Sequence, residues 1–294
     1  MRPPLSAVEP FMFRGRTFFV KRDDTIHPLF SGNKFRKLYA FLATPAARYS
    51  HVISYGGTQS NAMLSIAALC KQKGWRFDYH AKPVPGHIRS EPTGNLKQAL
   101  QLGMNLHEVS HEAYRETVAG LLERREEETL VIPQGGADKV AWEGMTVLAG
   151  EIRQWLAGTG RETNITVVTP SGTGTTAFFL AEALPGVRVV TTAVVGDAAY
   201  LREQMRRFGP IPPNLTILKS SRKHHFGKPY PELLKLYREL RDNGMEFDLI
   251  YGAKMWHDLI ELPRVEGEVI LYVHSGGLIG NETMLERYRY KGML

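Results

Sequence analysis

Lys34 and Lys37 stand three residues apart, flanking Phe35-Arg36 behind the turn-forming pair Gly32-Asn33. On a helix this spacing puts both ammonium groups on one face. A lysine held in a desolvated pocket has a lowered pKa and can condense with an aldehyde cofactor, and a second lysine beside it can reach a phosphate. The plainer reading is a pair of surface lysines at a helix start. A second group of residues also suits an anion. Ser171-Gly172-Thr173-Gly174-Thr175-Thr176 packs four hydroxyls and two glycines into six positions. Such a loop fits a terminal phosphate dianion lying against backbone N–H groups, because its oxygens need several donors. The same stretch with Ala177 matches G-x-G-x-x-A, and Asp197 stands where a ribose-binding acid would, so a dinucleotide is the competing reading. No Walker-type lysine follows the loop, which argues against a nucleoside triphosphate.

These residues need elements to position them. The apolar runs 51–55, 130–132, 165–169 and 269–273 each end in a glycine loop: Gly56-Gly57-Thr58-Gln59-Ser60-Asn61, Pro133-Gln134-Gly135-Gly136, the 171–176 loop and His274-Ser275-Gly276-Gly277. Strand, glycine loop and helix form the unit of a parallel α/β sheet, and ligands bind beyond the carboxyl ends of its strands. Phe35, Leu38, Tyr39 and Leu42 predict one helix over 35–42. Further helices are expected over 95–102, 113–128, 142–156, 177–184 and 233–242, and strands over 17–22, 75–80 and 187–195. The Pro/Gly-rich stretch 82–94 is long enough for an active-site flap.

Composition narrows the class. With 294 residues, 43% hydrophobic and 23% charged, the chain can bury a large core and divide into two lobes. The net charge of +7 is dispersed, apart from Arg222-Lys223-His224-His225 with Lys228, which reads as a solvated loop. No aromatic–basic ladder points to nucleic acid. The single cysteine, Cys70, lies among apolar neighbours and reads as a structural thiol. No apolar run reaches the ~18 residues of a membrane span, and the start lacks a signal-peptide stretch, so a cytoplasmic location is expected. His107-Glu108-Val109-Ser110-His111 matches H-E-x-x-H, which binds zinc only on a helix. Here 105–109 alternates like a strand and Ser110 can cap a helix starting near Glu112, so no metal is expected.

The motifs together resemble a family. Ser31-Gly32-Asn33-Lys34-Phe35-Arg36-Lys37-Leu38 is similar to the G-G-N-K-x-R-K-L segment of the pyridoxal-phosphate enzymes that include 1-aminocyclopropane-1-carboxylate deaminase and D-cysteine desulfhydrase. Gly56 to Asn61 resembles their G-G-x-Q-S-N, Asp248 to Lys254 their D-P-V-Y-x-x-K, and His274 to Gly277 their H-T-G-G. The resemblance implies a tryptophan-synthase-β-like α/β fold (fold type II) with two open, twisted parallel-sheet lobes. The larger lobe would comprise 1–41 and 149–294, with 42–148 inserted as the smaller. It implies pyridoxal 5'-phosphate as cofactor, a small amino acid as substrate and a homodimer. Lys34 would be the Schiff-base lysine. Lys37 and the loop Ser171, Gly172, Thr173, Gly174, Thr175, Thr176 would hold the phosphate. Asn61 would bond the phenolic oxygen, Ser275 would meet the pyridine nitrogen and Tyr251 would face the ring. Gln59, Ser60 and Asn61 would hold the substrate, with Ser60 also assisting proton transfer.

The departures shape the expected reaction. The deaminases carry Glu and Leu where this chain has Gly252 and Ser275, and the desulfhydrases carry threonine at both. Ala62 replaces the polar residue after Q-S-N, and Ser31 replaces the first glycine. Gly252 removes the side chain that would have supplied a carboxylate, and a serine hydroxyl does not keep the pyridine nitrogen protonated. The expectation is β-elimination or deamination of the desulfhydrase kind, with negligible opening of a cyclopropane ring. The alternatives are a catalytically weak cofactor-binding protein and a Rossmann dehydrogenase using NAD at Gly172, Gly174 and Asp197.

Overall fold

The computed structural model describes residues 6–30, 32–124, 126–159, 164–263 and 268–294. Ser31 lies outside them. The strands are β1 (Val8–Phe13), β2 (Arg16–Lys21), β3 (His51–Tyr55), β4 (Arg76–Ala81), β5 (Met104–Glu108), β6 (Thr129–Ile132), β7 (Ile165–Val168), β8 (Arg188–Thr192), β9 (Leu215–Leu218) and β10 (Val269–Val273). The helices are α1 (Gly32–Lys37), α2 (Tyr39–Ala43), α3 (Asn61–Lys73), α4 (Gly86–Ser90), α5 (Gly94–Gln101), α6 (Tyr114–Glu123), α7 (Ala141–Thr159), α8 (Thr175–Ala183), α9 (Ala198–Arg206), α10 (Pro231–Asp242), α11 (Tyr251–Ile260) and α12 (Gly280–Tyr290).

Two sheets result. The larger runs β1-β2-β10-β7-β8-β9 and is parallel except for the β1–β2 edge hairpin, turned by Arg14-Gly15 with both residues at positive φ. The smaller runs β5-β4-β3-β6 and is parallel throughout. Strands buried on both faces read as continuous apolar runs, which is why β3, β7 and β10 stood out in the sequence. All four residues of β7 are buried. Helix α8 beside it is apolar almost all round and packs Phe178 and Leu180 into the same core as Leu148 and Ile152 of α7. On the other face of the larger sheet, Trp256 of α11 packs edge-on to Phe11, Phe13, Phe18 and Phe247 and stacks on Tyr272. Truncating such a side chain costs about 3–5 kcal/mol. The smaller sheet packs on α3, whose run from Ala62 to Cys70 is wholly buried. Ser60 caps α3, and Gly74 ends it at φ +74°.

Several expected elements differ. The single helix over 35–42 is two, because Leu38 leaves helical geometry between α1 and α2. The helix expected over 113–128 ends at Glu123. The proposed flap contains the short helix α4. The helix expected over 142–156 is the longer α7, which packs on α1, α2 and α8.

Candidate functional site

The carboxyl ends of β3, β6, β7 and β10 deliver their glycine loops to one cleft, and α1 forms its floor. The cavity there has a volume of about 480 Å³. The residues expected to hold the cofactor and the substrate all line it: Lys34 and Lys37, the Gln59-Ser60-Asn61 stretch, the whole 171–176 loop, Tyr251 and Ser275.

Helix α1 is anchored from behind. Arg36 is fully buried and bonds Asp23 at 2.8 and 3.0 Å and Glu151 of α7 at 2.7 and 2.8 Å. Lys21 at the end of β2 pairs with the same Glu151 at 2.5 Å. A Cβ at Gly144 of α7 would overlap the Arg36 carbonyl, so α7 and α1 touch backbone to backbone. This clamp turns the opposite face of α1 towards the cleft. There Lys34 is surrounded by protein except on the cavity side, and burial pushes its amine down to about 8. Its Nζ donates to Asn33 Oδ1 at 3.3 Å. Lys37 is buried, and burial, then the charge of Lys34, hold its amine well below the usual lysine range. It donates to the Gly135 carbonyl at 3.1 Å. Among the described residues, neither amine forms a salt bridge to a carboxylate.

The phosphate end is built from backbone. Helix α8 starts after Gly174, at φ +78°, with no side chain capping its first turn. Its uncapped N–H groups can therefore receive an anion. Thr173 and Thr175 share a hydrogen bond of 2.8 Å, whereas Thr176 Oγ1 is buried without a partner. An orphaned hydroxyl, an uncapped helix start and two lysines that form no salt bridge among the described residues fit a phosphate. A Cβ at Gly172 would press on the Tyr251 ring at 3.3 Å, so the glycine keeps that face of the cleft flat enough for an aromatic ring. The residues present therefore fit pyridoxal phosphate.

The small-lobe side is built from side chains. Ser60 Oγ accepts from Ala62 N at 3.2 Å and Met63 N at 3.3 Å. The Ser60 hydroxyl also hydrogen-bonds the Tyr79 hydroxyl, which itself donates to Gly57 O at 3.1 Å. Gln59 uses its amide on the backbone of α5 and the residue before it, donating to Thr93 O and accepting from Asn95 N, both at 3.1 Å. On the opposite wall, His274 donates from Nε2 to Glu246 O at 2.8 Å and accepts from Gly276 N at Nδ1 at 3.0 Å, which holds it neutral and shapes the 274–277 turn.

Two sequence expectations change here. Asp197 is the N-cap of α9, accepting from Tyr200 N at 2.8 Å, so the ribose-acid role is already filled by a structural one. Gly252 does not face the cavity. A Cβ there would come within 2.8 Å of Phe247 Cβ. Nor does its lack of a side chain leave the site without a carboxylate, because Asp248 lines the cavity and is buried. Asp248 accepts from the N–H groups of Ile250, Tyr251 and Gly252 at 3.1, 2.6 and 2.9 Å, and burial still pushes its carboxyl up to about 6. Asp248 was legible only as the first residue of a motif. The basic segment is the exposed loop expected, and it is tied to its surroundings. Arg222 and His224 both pair with Glu232, at 2.7 and 3.0 Å, and Phe226 stands edge-on to Tyr251 at 5.9 Å in the cavity wall. Arg287 of α12 holds the Gly227 carbonyl at 2.7 Å. Lys254 lies away from the cavity, paired with Asp258 at 2.5 Å. His107 sits on β5 as the alternation required, and burial keeps the Cys70 thiol protonated.

The chain is similar over most of its length to known proteins. It is 24% identical over 299 residues to the mitochondrial bifunctional D-cysteine desulfhydrase/1-aminocyclopropane-1-carboxylate deaminase of Arabidopsis thaliana, covering 92% of this chain and 75% of that one. It is 31% identical over 293 residues to nocardicin C-9' epimerase of Nocardia uniformis, covering 89% and 86%. Among solved structures, an ACC deaminase homologue superposes with a TM-score of 0.75 at 22% identity, over 100% of this chain and 95% of that one. Residues 4–268 match the family described as pyridoxal-phosphate dependent enzyme, which accounts for the uncapped anion site, the flat-walled cleft and the buried amine at its floor: the chain belongs to that family.

Proposed function

We propose that this enzyme eliminates or deaminates a small amino acid in the manner of a D-cysteine desulfhydrase, releasing a keto acid and ammonia. The observation that carries the reading is Lys34, a half-buried lysine with no salt bridge among the described residues, whose amine lines the same cavity as Ser60 and Asn61. When bound, pyridoxal phosphate supplies an aldehyde that condenses with amines and a ring that draws electron density from the substrate α-carbon. The first turn of α8, Thr176 and Lys37 would hold the phosphate. Asn61 would face the phenolic oxygen and Ser275 the pyridine nitrogen. The lowered pKa of Lys34 keeps part of its amine neutral near neutral pH, so Nζ can first hold the cofactor and then take the α-proton. Ser60, at the start of α3 with its oxygen accepting two N–H groups, would turn its hydroxyl hydrogen towards the substrate carboxylate as a hydrogen-bond donor. Burial and the Asp248 charge hold the Tyr251 hydroxyl protonated, so it serves as a donor.

Purified protein should absorb in the visible and release keto acid and ammonia from D-cysteine or a β-chloro amino acid; with Ser275 and no carboxylate placed at the pyridine nitrogen, 2-oxobutanoate from the cyclopropane amino acid should be negligible. Tight NAD binding by protein lacking an aldehyde cofactor would refute the reading. The similarity to an epimerase favours a second one, in which the proton removed from the α-carbon is returned to the other face. Inversion of an amino acid with solvent deuterium incorporation and no ammonia would select it.

A further inference from the structure

Asn95, on the first turn of α5, is wholly buried and was not among the candidate site residues. Its Nδ2 donates twice, to the Gln59 backbone carbonyl at 2.9 Å and to Asn61 Oδ1 at 2.8 Å. A backbone carbonyl can only accept, so the first bond fixes which end of the Asn95 amide is nitrogen. The second bond then fixes Asn61: the atom facing Asn95 must be its oxygen. The Asn61 nitrogen is left on the side of Gly277, where a Cβ would overlap it, and Gly277 is a wall of the cavity. Asn95 Oδ1 is buried with no partner among the described residues. An orphaned buried acceptor is destabilising, so Asn95 is a poor choice for stability alone. Gln59 locks the arrangement from behind, with its own amide held between Thr93 O and Asn95 N.

We propose that Asn95 is a positioning residue that sets the direction of the Asn61 amide, so that Asn61 presents a donor and not an acceptor to the cofactor's phenolic oxygen. The inference rests on the placement of the cofactor given above. A donor favours the ionised oxygen, and an acceptor in its place favours the protonated one. In Asn95→Asp the one atom that faces both the Gln59 carbonyl and Asn61 becomes an acceptor, so Asn61 turns its nitrogen towards residue 95 and its oxygen towards the cofactor.

The test is a pH titration of the visible absorbance of the cofactor-loaded protein in wild type, Asn95→Asp, Asn61→Ala and the double variant. Asn95→Asp should move the midpoint upward by about one pH unit or more, and should have no further effect once Asn61 is alanine. Asn95→Ala, which removes the donor without adding an acceptor, should give a smaller shift in the same direction and keeps the test available if Asn95→Asp does not fold. Equal shifts in both backgrounds would overturn the proposal, as would no shift in the wild-type background. An Asn61→Ala protein whose absorbance titrates like wild type would instead overturn the cofactor placement itself.

Discussion

Helix α1 is six residues long, and its two faces are electrostatic opposites. Behind it, Arg36 meets two carboxylates and Lys21 meets one of them, so each buried charge has a partner. In front, Lys34 and Lys37 are enclosed by protein with no salt-bridge partner among the described residues. Buried ion pairs hold a backbone in place, whereas buried cations without partners lower stability until an anion or a carbonyl compound arrives. The face that the fold balances positions the face that it leaves unbalanced.

The largest expected effect follows from the front face. Lys34→Ala should abolish the visible absorbance of cofactor-loaded protein and lower turnover by at least about 10³-fold. A borohydride-reducible adduct surviving at another residue would show that the unbalanced face has been misidentified. Behind the helix, Arg36→Met leaves Asp23 unpaired and Glu151 with Lys21 alone. Denaturant unfolding should show a loss of about 3–5 kcal/mol. A loss under about 1 kcal/mol, the level of an exposed pair, would erase the contrast between the faces. Lys37→Met should behave in the opposite way, leaving the cofactor-free protein as stable or more so while weakening cofactor retention about 10- to 100-fold, read by dialysis and absorbance.

The last effect is a pH dependence. The Lys34 amine lies at about 8 in the folded chain against 10.5 for the free side chain. Below about 8 both states are protonated, and the burial penalty is present in full. Between those values the unfolded chain binds the extra proton, so the stability of cofactor-free protein should rise with pH across that window. Lys34→Met should flatten the rise, and an equally steep profile in that variant would assign it to another group.

The parallel strands and their loops were legible because strands buried on both faces must be apolar throughout and must stop at glycine where a ligand approaches. The clamp behind α1 was not legible, since Asp23, Arg36 and Glu151 come together only once β2, α1 and α7 are packed. Leu38 fits a helical periodicity that the backbone breaks. Asp197 fits a dinucleotide spacing and also a helix cap, and periodicity cannot separate two local roles for one carboxylate. Asn95 carries no signal in one sequence, because its importance lies in which end of an amide faces a carbonyl.

Gly144 lies outside the cavity, yet its missing side chain sets how closely α7 approaches α1. Even a methyl group there would push against the Arg36 carbonyl, two residues from Lys34. A saturation-mutagenesis survey scored on turnover should therefore find position 144 as intolerant as the active-site loops. In directed evolution, relaxed packing at this helix crossing would be a remote dial on the reach of the lysine, and selection would find it blind to any contact with substrate.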